Sequence, residues 1–494
     1  MNEMTLGKRP SGAAVRPEYP RIGLLIGGEW IHDRPACYTV RNPSDDTVLG
    51  DIPGATADDL QAALAAADRG FDTWRRTAPG ERAALLRRAA ALLRERTEQI
   101  APVITLEQGK PLPDARREID RSASFLEWDA EQLLRSHGKV IPAPAPMQLY
   151  TCKEPVGPVA AFTPWNVPLS SPARKISGAL AAGCSVIIKP AKETPGVVCL
   201  FARCFMDAGL PAGVLNLVFG DSAQVSTALI ASDVIQMVTL TGSVEVGKQL
   251  TRLAAAGMKP VLMELGGHAP VLIGEDVDPV AVAQLAVAAK FRMAGQLCVS
   301  PSRFIIHHRL YAPFVAAFAE AAANLRVGDG FEPGVQVGPL ISAQRVAAVD
   351  ALVQDAVARG ARVAAGGERV AEQGCFYAPT VLCDVPENAR AMSEEPFGPL
   401  ALCLPMRDFE HGLQIANSLS VGLAGYVFTN SLEQAAYVSG ELRCGSVAIN
   451  NFGSPGAESP FGGMRESGIG TEGGEETLDC YRVNKTILQM AITL

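Results

Sequence analysis

The sequence has no apolar run that would cross a membrane. One long charge-free stretch, from Pro155 to Ala173, is interrupted by Pro158, Pro164, Pro168 and Pro172, and each proline removes a backbone donor that a spanning helix needs. No block of like charges accompanies the net charge of -8, so neither nucleic acid nor a membrane surface is an expected partner. Small molecules and further copies of the chain are. The segment MNEMTLGKRPSGAAVRPEYP has no apolar core of a secretory signal, and residues 1–20 read as a loose arm. Eleven cysteines lie scattered without a CxxC pair or His-rich spacing. That argues against a metal site or a disulfide framework and for a reducing cytoplasm. Most of them, such as Cys184, Cys199 and Cys403, stand in apolar runs where a free cysteine packs as a small hydrophobe. Internal repeats and low-complexity segments are absent.

What is present is a chain of 494 residues, beyond the roughly 250–300 at which a single core stops growing, so two large domains are expected. Residues 56–108 carry apolar positions at helical spacing and predict two or more amphipathic helices. From Val159 short apolar runs at 159–162, 185–188, 214–219, 237–240 and 261–265 alternate with helical patterns at 195–208, 222–231 and 244–256. Apolar strands separated by helices predict βαβ units on a parallel sheet, an α/β architecture of nucleotide-binding type. The alternation restarts after a helical stretch at 278–295, with strands at 303–308, 361–367, 399–405, 425–429 and 446–450 and a helix near 311–325. The alternating tail 481–492 has no partner left in its own domain and is expected to pair elsewhere, as oligomerisation strands do.

Five local patterns carry chemistry. GSVEVG (242–247) follows the run MVTL and opens a helix, where backbone N–H groups and the helix dipole suit a phosphate; glycine at a tight turn gives the same pattern. Lys189 falls where a strand ends, as a sugar or phosphate ligand or as a solvated lysine. Cys298, in KFRMAGQLCVSPSRF, is either a nucleophile or one more core cysteine. Glu264 closes an apolar strand in MELGGHAP, where a carboxylate is paired, solvated or raised in pKa for proton transfer. Asn166 in FTPWNVP would donate to an oxyanion or simply make a turn.

In their order and spacing, FTPWNVP (162–168), VIIKPAKETP (186–195), LTGSVEVG (240–247), MELGGHAP (263–270), GQLC (295–298), EEPFGP (394–399) and SPFGGMRESG (459–468) resemble the aldehyde dehydrogenase superfamily, over nearly the whole chain from about Gly28. The resemblance implies a Rossmann-type coenzyme domain (20–141 and 159–266), an α/β catalytic domain (267–476) and a small β oligomerisation element (142–158 and 477–494), assembled as a homodimer or homotetramer. It makes Cys298 the nucleophile that forms a thioester, Asn166 and the Cys298 N–H the oxyanion donors, and Glu264 the residue that activates the hydrolytic water, with Lys175 and Glu472 along the proton path. It gives NAD or NADP to Thr163, Pro164, Trp165, Lys189, Lys192, Gly220, Gly242, Ser243, Gly247, Leu265, Glu395 and Phe397.

Within the superfamily ELGGHAP, KFRMAGQLCVSPSRF, VGLAGYVF and the ending GGEETLDCYRVNK look most like semialdehyde dehydrogenases of the succinate and 2-oxoglutarate semialdehyde type. Arg174 and Arg292 match arginines that the succinate semialdehyde enzymes direct at the substrate's distal carboxylate; the substrate pocket is completed by Val167, Ser454 and Phe461. Four departures bear on specificity. The serine that assists those arginines has no counterpart in NFGSPGAESPF, where Ser454 is the substitute. Val167 replaces a bulky aromatic and widens the entrance. Ser300 replaces a second cysteine, which excludes a disulfide with Cys298. Lys192 stands where NAD-preferring relatives carry a carboxylate; an ammonium accepts no hydrogen bond from ribose but attracts a 2′-phosphate, so NADP is expected to be accepted, with preference for it left open. A CoA-acylating relative, a broad-specificity aldehyde dehydrogenase and a silent structural protein are the alternatives. Glu264 argues against the first and the set Cys298, Glu264 and Asn166 against the last. A cysteine hydrolase lacks its histidine, since none of the six lies in a motif that pairs with Cys298.

Overall fold

The computed structural model describes residues 18–453 and 456–490. The arm expected at 1–20 therefore lies almost wholly outside the described residues. Five parallel strands, Val159–Phe162, Val186–Lys189, Leu215–Leu217, Met237–Gly242 and Val261–Leu265, form the centre of the first sheet. Helices Ser170–Ala182, Pro195–Asp207, Ser222–Ala231 and Val244–Ala255 connect them. Strands linked by such crossovers are buried on both faces, hence the continuous rather than alternating apolar runs. In space the five lie in the order third, second, first, fourth, fifth. The winding thus reverses between Val159–Phe162 and Met237–Gly242, and such a reversal opens a crevice beyond the carboxyl ends of both strands.

A second, seven-stranded sheet takes Arg362–Ala365, Thr380–Cys383, Leu400–Met406, Arg303–His307, Pro270–Ile273, Ala424–Phe428 and Ser446–Ile449 in that order. Two hydrophobic cores result. One runs from Ile22 to Leu265 with Leu478 and Tyr481 added, the other from Ala269 to Cys444. Chain segments cross between them. Gly468–Ile469 pairs antiparallel with Val261–Leu265, so the late part of the sequence closes the edge of the early sheet.

Two elements differ from the sequence pattern, and the tail strand pairs within the 142–158 segment expected to share its small β element. Helix Leu112–Arg135 is the longest of the described helices; its buried face joins Ile119, Phe125, Leu126 and Leu133 to Ala115, Ala123 and Ala130, but Glu118, Ser122, Asp129 and Gln132 lie on it too and interrupt the apolar pattern. The stretch 278–295 is not one helix: Pro279–Phe291 stops, and Met293, Ala294 and Gly295 all take positive φ. The tail strand Arg482–Met490 finds a partner within its own chain, pairing antiparallel along its full length with Met147–Pro155. Among the described residues its other edge is unpaired, because it is the outer strand of a three-stranded sheet. Among the described residues no helix is long and apolar enough to cross a membrane.

The seam between helix Ala57–Trp74 and the first sheet depends on an approach of backbone to backbone. A Cβ on buried Gly70 would lie 2.3 Å from the carbonyl carbon of Gly213, on the turn that feeds strand Leu215–Leu217. Neither partner is a flexible side chain. Gly70→Ala is expected to lower stability by about 1–3 kcal/mol through overpacking, seen as a lower urea midpoint; an unchanged midpoint would contradict this contact.

Candidate active site

The crevice is lined by strand ends. Thr163, Pro164 and Trp165 follow the first strand, Lys189 ends the second, buried Gly220 lies just beyond the third, Gly242 ends the fourth and Leu265 the fifth. Ser243 caps helix Val244–Ala255: its Oγ accepts from the Val246 N–H at 3.3 Å, which leaves its own proton to donate outward. Gly247 allows this helix to press on the sheet, since a Cβ there would lie 2.5 Å from Leu265 Cδ1. Lys192 is exposed, with its ammonium 4.7 Å from the centre of the Tyr38 ring. Phe397 and Trp165 meet edge to face at 5.5 Å, and buried Thr163 Oγ1 has no partner among the described residues. A helix N-terminus, an unspent hydroxyl donor, two lysines and an aromatic wall suit the phosphates, sugars and ring of a nicotinamide dinucleotide.

Cys298 is delivered by the left-handed turn. Residues with a Cβ adopt this conformation only when their surroundings enforce it, and here the enforcement is visible. Gly295 packs where a Cβ would lie 2.1 Å from the Gly398 carbonyl oxygen. Fully buried Gln296 donates to the Met293 and Pro339 carbonyls and accepts from the Ile341 N–H. Tyr426 donates to the Val299 carbonyl at 2.6 Å. Asn166 spends one amide N–H on the Gln296 carbonyl at 3.0 Å, which fixes the amide plane and leaves the second N–H. Beneath it lies a buried ion pair of Lys110 and Glu118; Lys110 donates to the Asn166 carbonyl, and Glu118 accepts from the Leu169 and Ser170 N–H groups.

The acid–base groups are short of water. Burial, then repulsion from Glu395 and Glu264, pushes the Cys298 thiol up to about 12, so at rest it keeps its proton. Burial and the neighbouring Glu472 hold Glu264 well above the usual carboxylate range, against the pull of Lys175 and Arg174. Both Glu264 carboxyl oxygens are buried without a hydrogen-bond partner among the described residues. Glu472 is paired with fully buried Lys175 at 2.7 Å, and Lys175 also donates to Thr239. Glu395, near neutral, is raised to about 8 by burial, while the Gly267 N–H opposes the shift.

One cavity of about 620 Å³ joins Cys298, Asn166, Val167 and Glu472 to Arg174, Arg292 and Phe461. Arg174 lies 4.0 Å from the centre of the Phe125 ring and 5.6 Å from that of Phe461, and donates to the Gly456 carbonyl. Neither Arg174 nor Arg292 forms an ion pair with a described residue. Ser454 lies outside the described residues. The sequence pattern missed Arg121, which lines the same cavity and is lowered to about 10 by burial and then by Arg174 and Arg292. It also missed Gln296, Lys110 and Glu118. Arg121 and Phe125, four apart on one helix face, were legible only once Leu112–Arg135 was known to be helical.

Residues 30–487 match the model of the aldehyde dehydrogenase family. The chain is 47% identical to 4-(hydroxymethyl)benzenesulfonate dehydrogenase of Comamonas testosteroni, over 93% of this chain and 96% of that enzyme. It is 39% identical to the NADP(+) succinate-semialdehyde dehydrogenase of Escherichia coli over the same shares of each chain. The NAD+ complex of an aldehyde dehydrogenase from Bacillus cereus superposes with a TM-score of 0.92, at 34% identity over 95% of this chain and 97% of that one. The chain belongs to the aldehyde dehydrogenase family, enzymes that oxidise an aldehyde with NAD or NADP as acceptor.

Proposed function

We propose that this enzyme oxidises an aldehyde whose far end carries an anion, an ω-carboxylated semialdehyde of the succinate or 2-oxoglutarate semialdehyde kind, to the corresponding acid. One observation carries this: Cys298 and the guanidinium groups of Arg121, Arg174 and Arg292 line the same cavity. A planar fork of donors suits a carboxylate, and clustered cations favour an anionic substrate over a neutral one. A second candidate substrate is an aromatic aldehyde bearing a sulfonate. Phe125, Phe461 and Leu297 give the cavity walls that fit a ring, and Val167 leaves room for one.

In this mechanism Cys298 Sγ bonds to the aldehyde carbon while its proton leaves for a buried base, Glu264. The developing oxyanion accepts hydrogen bonds from the second Asn166 N–H and the Cys298 backbone N–H. The dinucleotide, when bound, accepts the hydride. Glu264 then takes a proton from the water that hydrolyses the Cys298 thioester, and CoA is not required. Lys175 and Glu472 hold the charge environment of Glu264 and pass its proton on. Residues 20–141 and 159–266 serve the coenzyme, 267–476 the chemistry, and 142–158 with 477–494 a homodimer or homotetramer contact along the unpaired edge of Arg482–Met490. Free thiols at all eleven cysteines support a cytoplasmic setting.

Because Glu264 is held above the carboxylate range, its basic form grows as pH rises, and hydrolysis should speed up with it. Glu264→Gln is expected to lower kcat by about 10²–10⁴-fold and to flatten the rise of kcat with pH; a variant that keeps that rise removes Glu264 from the role. Replacing Arg121, Arg174 or Arg292 by Gln should each reduce kcat/KM for carboxylated aldehydes by about 10–100-fold, from the loss of a charged hydrogen bond, with little change for uncharged ones. If the wild-type enzyme prefers uncharged aldehydes by a wide margin, the anionic substrate is wrong. Lys192→Ala is expected to reduce kcat/KM for NADP+ more than for NAD+; a strong NAD+ preference that the substitution leaves undiminished would refute the 2′-phosphate contact.

A further inference from the structure

A second cavity, of about 910 Å³, lies between the start of helix Pro79–Glu95 and the three-stranded sheet, and shares no lining residue with the Cys298 cavity. Arg82 lines it. That side chain is over nine-tenths buried, yet its Nε and Nη1 have no hydrogen-bond partner and it forms no ion pair with a described residue. Arg482, from the tail strand, lines the same cavity and forms no ion pair either; its Nη1 donates to Ser136 Oγ. Arg82 is lowered to about 10 by burial and then by Arg482, while Arg482 is lowered by burial against the pull of Asp479.

The other charges along the wall are committed or remote. Arg75 is paired with Asp72, Lys153 with Asp479 and Glu154 with Lys485. Asp68 and Asp233 are exposed, and neither lies within ion-pair distance of the two arginines. Space has nevertheless been made for the Arg82 head. Arg82 Nη1 lies 2.0 Å from where a Cβ on Gly183 would stand, and the φ of +102° at this helix end calls for glycine. A buried charge without a partner is costly, and proteins that retain one supply the partner.

We propose that Arg82 and Arg482 form an oxyanion-binding site that takes a carboxylate or phosphate group between two guanidinium forks. The group comes from a free anion or from a carboxylate of a second copy of this chain, since the cavity adjoins the outer strand Arg482–Met490 with its unpaired edge.

The test uses the full chain, wild type and Arg82→Leu, and reads two quantities. One is the thermal midpoint as inorganic phosphate replaces chloride at constant ionic strength. The other is the mass from sedimentation velocity. A free anion predicts a wild-type midpoint that climbs by several degrees with phosphate and an Arg82→Leu midpoint that does not. A carboxylate from a second copy predicts a wild type indifferent to phosphate and a smaller sedimenting species for Arg82→Leu. The proposal falls if both proteins show the same phosphate response and the same mass, because any anion effect then originates elsewhere. Should Arg82→Leu be insoluble, Arg482→Gln is measured in the same two ways with the same expectations.

Discussion

The Lys175–Glu472 ion pair ties the two ends of the active site together. Lys175 stands on helix Ser170–Ala182, packed on the first sheet, while Glu472 arrives from some three hundred residues later in the chain, beyond the strand Gly468–Ile469 that closes the sheet's edge. The pair is buried, so each partner needs the other; removing one partner of such a pair typically costs about 3–5 kcal/mol. Glu264 sits in the field that the pair creates. Its raised affinity for a proton follows from burial and from Glu472, moderated by Lys175 and Arg174. Reactivity at Glu264 is thus a property of how the two halves close on each other.

The same dependence governs Cys298. A half-buried thiol beside two carboxyl groups is a poor nucleophile at rest, and the loop that carries it takes three consecutive left-handed residues. Such a loop persists because its own Gly295 and Gln296 pack on Gly398, Pro339 and Ile341 while Tyr426 and Asn166 hold it from other elements. Asn166 is held in turn by the Lys110–Glu118 pair beneath it. The site is therefore stiff where bonds are made. It is permissive further out, where aromatic faces and guanidinium groups line a cavity larger than a small aldehyde needs.

Much of the fold was legible because parallel strands and crossover helices leave long-lived marks in a sequence: continuous apolar runs, glycines at strand ends, helix caps. The runs at 159–162, 237–240 and 261–265 became strands at nearly those bounds. Helix Leu112–Arg135 was not legible, since Glu118, Asp129 and Gln132 interrupt the apolar residues of its buried stripe and its exposed face is heavily charged. The break after Phe291 was not legible either. Its cause is contacts with residues more than a hundred positions away, and local propensity at 292–295 gives no hint of it. Arg121 was missed with the helix that bears it, and the unpartnered Arg82 looked like any surface charge of an amphipathic helix.

By itself the sequence determined the family, because motifs a few residues long in a fixed order carry it, and the same motifs single out Cys298, Glu264 and Asn166 as the expected catalytic groups. Only the tertiary structure decided which groups share a cavity and what their proton affinities are. Arg121, Arg174 and Arg292 come from three separate helical segments, and a cluster of cations facing a nucleophile exists only when those segments meet. The same holds for charge. A carboxyl group's tendency to hold its proton depends on the water it has lost and the neighbours it has gained, and both are set by packing across the chain.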